Sequence, residues 1–340
     1  MTKAKSFFDK MKKRDSISGV NIYSKPPHIW LSSGNYVVNK TISGSFNRGY
    51  AVGRLAMITG PSDAGKSFLA MSAAVQAQKA GYGVFIIDSE RAIDDAYMEA
   101  VGVDVNNELL FYNSVDSLEA ATKLVSEFLQ SYRENKEDLP PFLLLIDSLD
   151  ELKTKAHIEK KEKGVVHNDQ GQHAKQLKQF VSNIMHDIGG LDIFAVCTKQ
   201  PYTNQDPIMS KVEPYIITPA MRFPFSQILL LTNRRLKDAK TKKIEGIHLN
   251  VDAYKTRFCK PRQKVSIEIP YDKGIDPFSG LLAAAESMGI VKKSGAWYKF
   301  EDNNIQASNA SEEVLQKILN KMIENDDDVF LDVLEDDEDE

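Results

Sequence analysis

The stretch Gly60-Pro61-Ser62-Asp63-Ala64-Gly65-Lys66-Ser67 fits the phosphate-loop pattern G-x-x-x-x-G-K-[ST] and decides how the rest of the chain is read. Before it, Leu55 to Thr59 is a short apolar run that reads as a buried strand. After it, Ser67 to Ala80 is rich in Ala, Met, Leu and Gln and reads as a helix. Strand, loop and helix follow in the order a phosphate site needs. Gly60 and Gly65 let the backbone curl until successive N–H groups point inward, and the helix adds the positive end of its dipole. Lys66 supplies a mobile charge for the outer phosphates of a nucleotide, and the Ser67 hydroxyl is placed to ligate Mg2+ shared with them.

Outward from this loop, strands and helices alternate. Val84 to Asp88 and Leu109 to Tyr112 read as strands, and Phe142 to Asp147, Ile193 to Cys197 and Ile228 to Leu231 are apolar runs without alternation, as expected for strands covered on both faces. A helix is expected from Ala92 to Ala100, and another towards Tyr132 opened by a capping box at Asp116-Ser117-Leu118-Glu119. Alternating segments at Ile247 to Tyr254 and Val265 to Ile269 add an antiparallel extension. The fold class is α/β with a largely parallel central sheet. Four regions are expected: an N-terminal helix and linker at 1–40 that docks on the chain's own core or on a neighbouring subunit, a nucleotide-binding core at 41–275, a small C-terminal α/β region at 276–323, and a disordered acidic tail at 324–340.

Composition narrows the class. The chain of 340 residues is 42% hydrophobic and 27% charged, as in globular proteins. No apolar run is long enough for a bilayer and no secretory signal opens the chain, so a cytoplasmic location is expected. Two cysteines and six histidines show no disulfide or zinc spacing. The formal net charge of −5 hides an asymmetry: the segment Glu324 to Glu340 is predominantly acidic, without Lys or Arg, and leaves the remainder net basic.

In open α/β sheets ligands lie at the carboxyl ends of the strands. Asp147 ends one strand and could hold a water on the magnesium ion; the alternative is a loop-opening Asp that caps the next segment. Asp88-Ser89-Glu90 ends another. Glu90, further beyond the strand, is the better candidate to orient or deprotonate the attacking water, and a surface pair with Arg91 is the equal alternative.

The block Phe85 to Tyr97, followed by Gly102-Val103-Asp104, closely resembles the matching block of RecA-type recombinases. So do GPSDAGKS, Leu143 to Leu152, the segment ending Lys199-Gln200, and Gly295 to Phe300. Tyr271 to Leu282 resembles especially the strand-exchange recombinases of tailed phages, the UvsX type. The similarity runs in order from about Ile42 to Phe300. It implies a RecA-like core that binds single-stranded DNA and a homologous duplex, self-associates into a helical filament, and hydrolyses ATP with Mg2+. A recombination mediator and a single-strand-binding protein are implied as further partners, and for a phage-encoded chain the location is the cytoplasm of a bacterial host.

Residue by residue, Glu90 matches the catalytic glutamate, Tyr97 the tyrosine that stacks on adenine, and Gln200 the glutamine that senses the terminal phosphate. Lys255 and Arg257 fall where the family has two lysines that reach the ATP of the adjacent subunit; the arginine changes a compact ammonium to a planar fork. Two segments fall where the family has mobile DNA-binding loops. The first, Ile158 to Gln172, offers Lys160, Lys161, Lys163, Gly164 and Gly171, although such a charge run alone is usually a solvated face. The second, Pro201 to Arg222, offers Tyr202, Met209, Lys211 and Arg222, but Tyr215 to Pro219 lacks the family's glycines, and its apolar residues could equally be core. The acidic tail would compete with DNA for the basic surface. A ring helicase on the same core, and an accessory ATP- and DNA-binding protein, are the rival readings.

Overall fold

A computed structural model describes residues 26–164, 170–237, 241–271, 274–301, 303–326 and 331–333. The two-residue strands β1 (Trp30–Leu31) and β2 (Tyr50–Ala51) pair antiparallel around helix α1 (Tyr36–Ser43). The central sheet then grows from β3 (Leu55–Thr59), β4 (Gly83–Asp88), β5 (Leu110–Ser114), β6 (Phe142–Asp147) and β7 (Ile193–Lys199). Between them run α2 (Lys66–Lys79), α3 (Asp95–Val101), α4 (Leu118–Glu134), α5 (Lys155–Glu162) and α6 (Gln170–Asp187). A small hairpin of β8 (Tyr202–Thr203) and β9 (Tyr215–Ile216) and the short helix α7 (Pro219–Arg222) lead into β10 (Gln227–Lys237), β11 (Ile244–Thr256) and β12 (Lys264–Pro270). Helix α8 (Leu281–Ser287), a sheet of β13 (Lys292–Ser294), β14 (Trp297–Phe300) and β15 (Asn303–Gln306), helix α9 (Glu312–Glu324) and strand β16 (Asp332–Val333) complete the described chain.

The nine-stranded sheet has the order β16-β12-β11-β10-β3-β7-β6-β4-β5. From β10 to β5 all neighbours are parallel; β11 is antiparallel to both β10 and β12. The expected parallel sheet with an antiparallel extension is therefore present.

The runs of β3, β4, β6 and β7 lack alternation because both faces are buried, whereas β5, at the edge of the sheet, leaves Phe111 half exposed. Ile58, Val84, Ile86, Leu143, Leu145 and Val196 face one core with α1 and α2; Met57, Phe85, Ile87, Leu144, Ile146 and Cys197 face another with α4 and α6. Such double burial takes these side chains out of water, a gain of about 25 cal/mol per Å² of apolar surface.

Several expectations change. The boundary at residue 40 falls inside α1, whose residues Val37, Val38 and Ile42 are buried in the first core. The C-terminal region 276–323 shares that core through Leu281, Ala285, Ile318 and Met322, and Asn35 Nδ2 donates to the carbonyls of Asp276 (3.0 Å) and Ser279 (2.9 Å). The capping box shifts by one residue: Ser117 caps α4 by accepting from Ala120 N, and Glu119 accepts instead from Lys155 N at 2.9 Å. Helix α3 starts at Asp95, later than Ala92, because Asp94 caps it.

The expectation of a disordered tail from 324 fails at the tail residues that are described. Leu331 is fully buried, and Asp332 and Val333 pair with Lys264 and Val265. Asp326 forms an ion pair with Lys40, whose side chain is 2% exposed. The N-terminal residues 1–25, with Phe7, Phe8 and Met11, lie outside the described residues, as do 334–340. Among the described residues, no helix is long and apolar enough to cross a membrane.

Candidate functional site

Parallel strands bring their carboxyl ends to one edge, so the turns after β3, β4, β6 and β7 converge there. The phosphate loop crosses from β3 to α2. Gly65 has φ +85°, a left-handed conformation that suits glycine, and a Cβ on Gly60 would come within 2.6 Å of the Leu231 carbonyl. Asp63 also has positive φ, +60°, and its carbonyl accepts from Asn233 Nδ2 on β10. Lys66 Nζ donates to the Pro61 carbonyl at 2.7 Å, closing the loop on itself. Burial pulls the Lys66 ammonium below its ordinary value, while Asp147, Glu90, Asp150 and Asp63 pull it back.

Asp147 is 5% exposed, and burial raises its carboxyl above the usual range, against hydrogen bonds from Thr198 and Ser67. The carboxylates of Glu90 and Asp88 raise it further. A buried carboxylate beside another carboxylate, with the Ser67 hydroxyl between Asp147 and the loop, is a donor set that a hard divalent cation would satisfy. Among the described residues no cluster of His, Cys, Asp and Glu is arranged to cage a metal unaided.

The two carboxylates ending β4 divide their work. Asp88 is fully buried: Oδ1 accepts from the N–H groups of Glu90 (2.9 Å) and Arg91 (2.8 Å), and Oδ2 from Ile93 N (3.1 Å) and the Tyr112 hydroxyl (2.9 Å). With four donors it shapes the turn and has no capacity left for a water. Glu90 is exposed, and its Oε1 accepts from the Ser148 hydroxyl at 2.7 Å. Ser148 is in turn bracketed by Ser89, whose Oγ donates to the Ser148 carbonyl at 2.6 Å. Tyr97 is half-buried on α3, its hydroxyl pushed up to about 12 by burial and by Asp147.

Gln200 follows β7, and its Nε2 lies 3.4 Å from the Ser62 hydroxyl of the phosphate loop. Asp150 holds this corner: one carboxylate oxygen pairs with Lys199 Nζ and the other accepts from Gln200 N. Sequence reasoning missed Ser148, Asp150, Thr198 and Asn233 as partners of the site. Only Ser148, adjacent to Asp147, and Asp150, three residues further on, carried a positional signal.

Lys255 and Arg257 are elsewhere. Lys255 pairs with Ile228, the second residue of β10, and Arg257 N donates to the Ser226 carbonyl just before β10, so both residues stand near the end where β10 begins. Lys255 Nζ donates to the Arg222 carbonyl at 2.6 Å, and Arg257 Nη2 to the Phe223 carbonyl at 3.3 Å. Neither is brought to the phosphate loop of its own chain.

The first expected DNA loop is largely helical. Lys160 and Lys161 fall on α5, Lys163 and Gly164 follow it, Gly171 lies inside α6, and 165–169 are outside the described residues. In the second, Tyr202 (56% exposed) and Met209 (49% exposed) are outward, with Ile208 and Val212 beside Met209 and Lys211 exposed, whereas Ile217 and Met221 are core. Arg222 departs from the expected DNA surface: its Nη2 donates to the Ile217 carbonyl at 3.0 Å and its guanidinium lies over Tyr254.

Sheet order, phosphate loop and converging carboxylates define a phosphate-loop NTPase of the α/β class. The family model described as RecA N-terminal domain matches residues 5–276. The chain belongs to this family, the RecA-type recombinases, DNA-dependent ATPases of recombination and repair. Protein RecA of Picosynechococcus sp. is 28% identical over 277 residues, covering 81% of this chain and 74% of that protein. Protein RecA of Trichodesmium erythraeum is 27% identical over 274 residues, covering 81% and 71%.

Proposed function

We propose that the protein forms an ATP-bound filament on single-stranded DNA and catalyses homologous pairing and strand exchange. One observation carries this reading: the phosphate loop and the cations Lys255 and Arg257 stand towards opposite ends of one sheet. A site that needs both is incomplete in one chain, and a head-to-tail stack of subunits completes it.

In this reading the backbone N–H groups of residues 60–67 and the Lys66 ammonium bind the phosphates. Magnesium, held by Ser67 and through water by Asp147, would neutralise charge on the outer phosphates. Glu90, oriented by Ser148, positions the attacking water and accepts its proton. Tyr97 packs against the base. Gln200 contacts the terminal phosphate in place of Ser62, and its movement is passed to the adjoining hairpin. Lys255 and Arg257 of the next subunit complete the charge.

Lys160, Lys161, Lys163 and Lys211 supply phosphate contacts, Gly164 and Gly171 add backbone freedom beside them, and Tyr202 and Met209 meet bases. Watson–Crick pairing reads the sequence. The likeness of Tyr271 to Leu282 to tailed-phage recombinases supports recombination-dependent replication in a bacterial cytoplasm, with a mediator and a single-strand-binding protein as partners.

The test is joint-molecule formation with ATP, magnesium and labelled single strands, using homologous and heterologous duplexes side by side. Product that requires both ATP and homology is expected. DNA binding with ATP but no homologous product would favour the accessory or helicase alternative, which an unwinding assay separates.

A further inference from the structure

The β8–β9 hairpin begins at the nucleotide edge of the sheet, and the chain after it must reach the opposite edge to enter β10. Glu213, on the return arm, ties this segment down. Its Oε1 accepts from Arg262 Nη2 at 3.0 Å, and its carbonyl accepts from Asn204 Nδ2 of the outgoing arm at 2.9 Å. Arg262 stands in the turn between β11 and β12 with φ +67°, a left-handed conformation that costs any residue but glycine. From there its guanidinium lies 3.9 Å from the Tyr254 ring centroid, with Nη1 3.6 Å from Asp252 Oδ2.

The Arg222 guanidinium lies 5.3 Å from the same ring. Tyr254 therefore contacts both the arginine that grips the hairpin and the one whose carbonyl receives Lys255. Arg257 donates to the next carbonyl, that of Phe223. A continuous set of contacts runs from the hairpin to the two cations. In the free chain both cations are folded back onto the segment that Glu213 restrains.

We infer that Glu213, Arg262 and Tyr254 form a latch through which the position of the β8–β9 hairpin sets the reach of Lys255 and Arg257. A ligand that displaces the hairpin breaks the Glu213–Arg262 pair and frees Tyr254 and Arg222. The ammonium and guanidinium are then released towards a neighbouring subunit. The pair suits a switch because it is weak: Arg262 is 46% and Glu213 34% exposed, and such pairs contribute little to stability. These three are positioning residues, and the inference rests on the roles proposed above for the hairpin and the two cations.

The test compares the wild type with Glu213→Gln and Arg262→Met in the full chain. ATP hydrolysis is measured with and without single-stranded DNA, and hydrogen exchange of residues 219–226 is measured without DNA. The expected result is a faster DNA-free rate, at least a fivefold fall in the stimulation ratio, and faster exchange in 219–226. Arg262→Lys, which keeps the charge but loses the flat stacking face, should fall between. An unchanged ratio and exchange in both variants, while the wild type is stimulated, would overturn the latch. So would a ratio that falls only in proportion to nucleotide binding and thermal midpoint. A wild type that DNA does not stimulate, with Glu213→Gln still loosening 219–226, would remove the DNA reading and leave the latch standing.

Discussion

The Ser148 hydroxyl donates to Glu90 Oε1 at 2.7 Å, joining the turn after β6 to the turn after β4. Two neighbouring parallel strands thus place a carboxylate and the group that aims it at the edge where the phosphate loop opens.

This contact predicts a division between binding and rate. Glu90→Gln should retain ATP and slow hydrolysis by about a hundredfold or more, as for loss of a general base. Ser148→Ala should lower kcat by a smaller factor, about tenfold, with the KM for ATP little changed. Steady-state ATPase assays alongside nucleotide binding check both, and full hydrolysis by the glutamine variant would remove Glu90 from its role.

Asp88 should behave as a structural residue. Replacing it with Ala strands three backbone N–H groups, while the Tyr112 hydroxyl keeps the Ile93 carbonyl at 2.8 Å, a loss of about 3 kcal/mol or more in urea unfolding. Asp88→Asn keeps an acceptor and should lose less. Equal stability of the alanine variant and the wild type would contradict the assignment.

Lys255 predicts a pH dependence. Burial, then Arg257 and Arg222, lower its ammonium from 10.5 to about 8. Below about 8 it is charged in both folded and unfolded chains. Between about 8 and 10.5 the folded chain has lost a proton that the unfolded chain keeps, so the free subunit gains stability as pH rises through that window. The same loss removes charge needed against phosphate, so ATP-dependent assembly should weaken above about pH 8. Light scattering from pH 7 to 9 reads this, and Lys255→Arg should shift the decline upward.

The C-terminal segment divides at Val333. Asp326→Asn leaves the buried Lys40 ammonium without its counter-charge and should cost about 3 kcal/mol. Deleting only 334–340 spares Asp326, Leu331 and the β16 pairing, so the melting temperature should hold while duplex DNA binding strengthens in a salt-dependent way. Unchanged duplex affinity across salt concentrations would remove the competition by the tail.

Much of the site was legible because it is local. The phosphate loop occupies eight consecutive residues, and its strand and helix adjoin it, so spacing alone located Gly60, Lys66 and Ser67. Doubly buried strands announce themselves as unbroken apolar runs, which located the sheet and the strand-end residues Asp147 and Glu90. A short-range pattern failed where two local solutions competed, since Ser117 took the cap that Asp116 was expected to hold; the family resemblance placed a loop where Lys160 and Lys161 enter a helix and Lys163 adjoins it.

What only the tertiary structure decided are the contacts between segments far apart in the chain. Ser148 meets Glu90, Asp150 meets Lys199 and Gln200, Asn233 meets Asp63, and Glu213 meets Arg262, because strand order, not sequence distance, sets which ends adjoin. The antiparallel turn of β11 sends Lys255 and Arg257 away from their own phosphate loop. Leu331 is buried although it lies in an acidic segment, because the edge of β12 offers unpaired backbone groups and an apolar core beneath. Local chemistry is written in residue spacing; partnership across the sheet depends on register and topology, which a linear pattern does not encode.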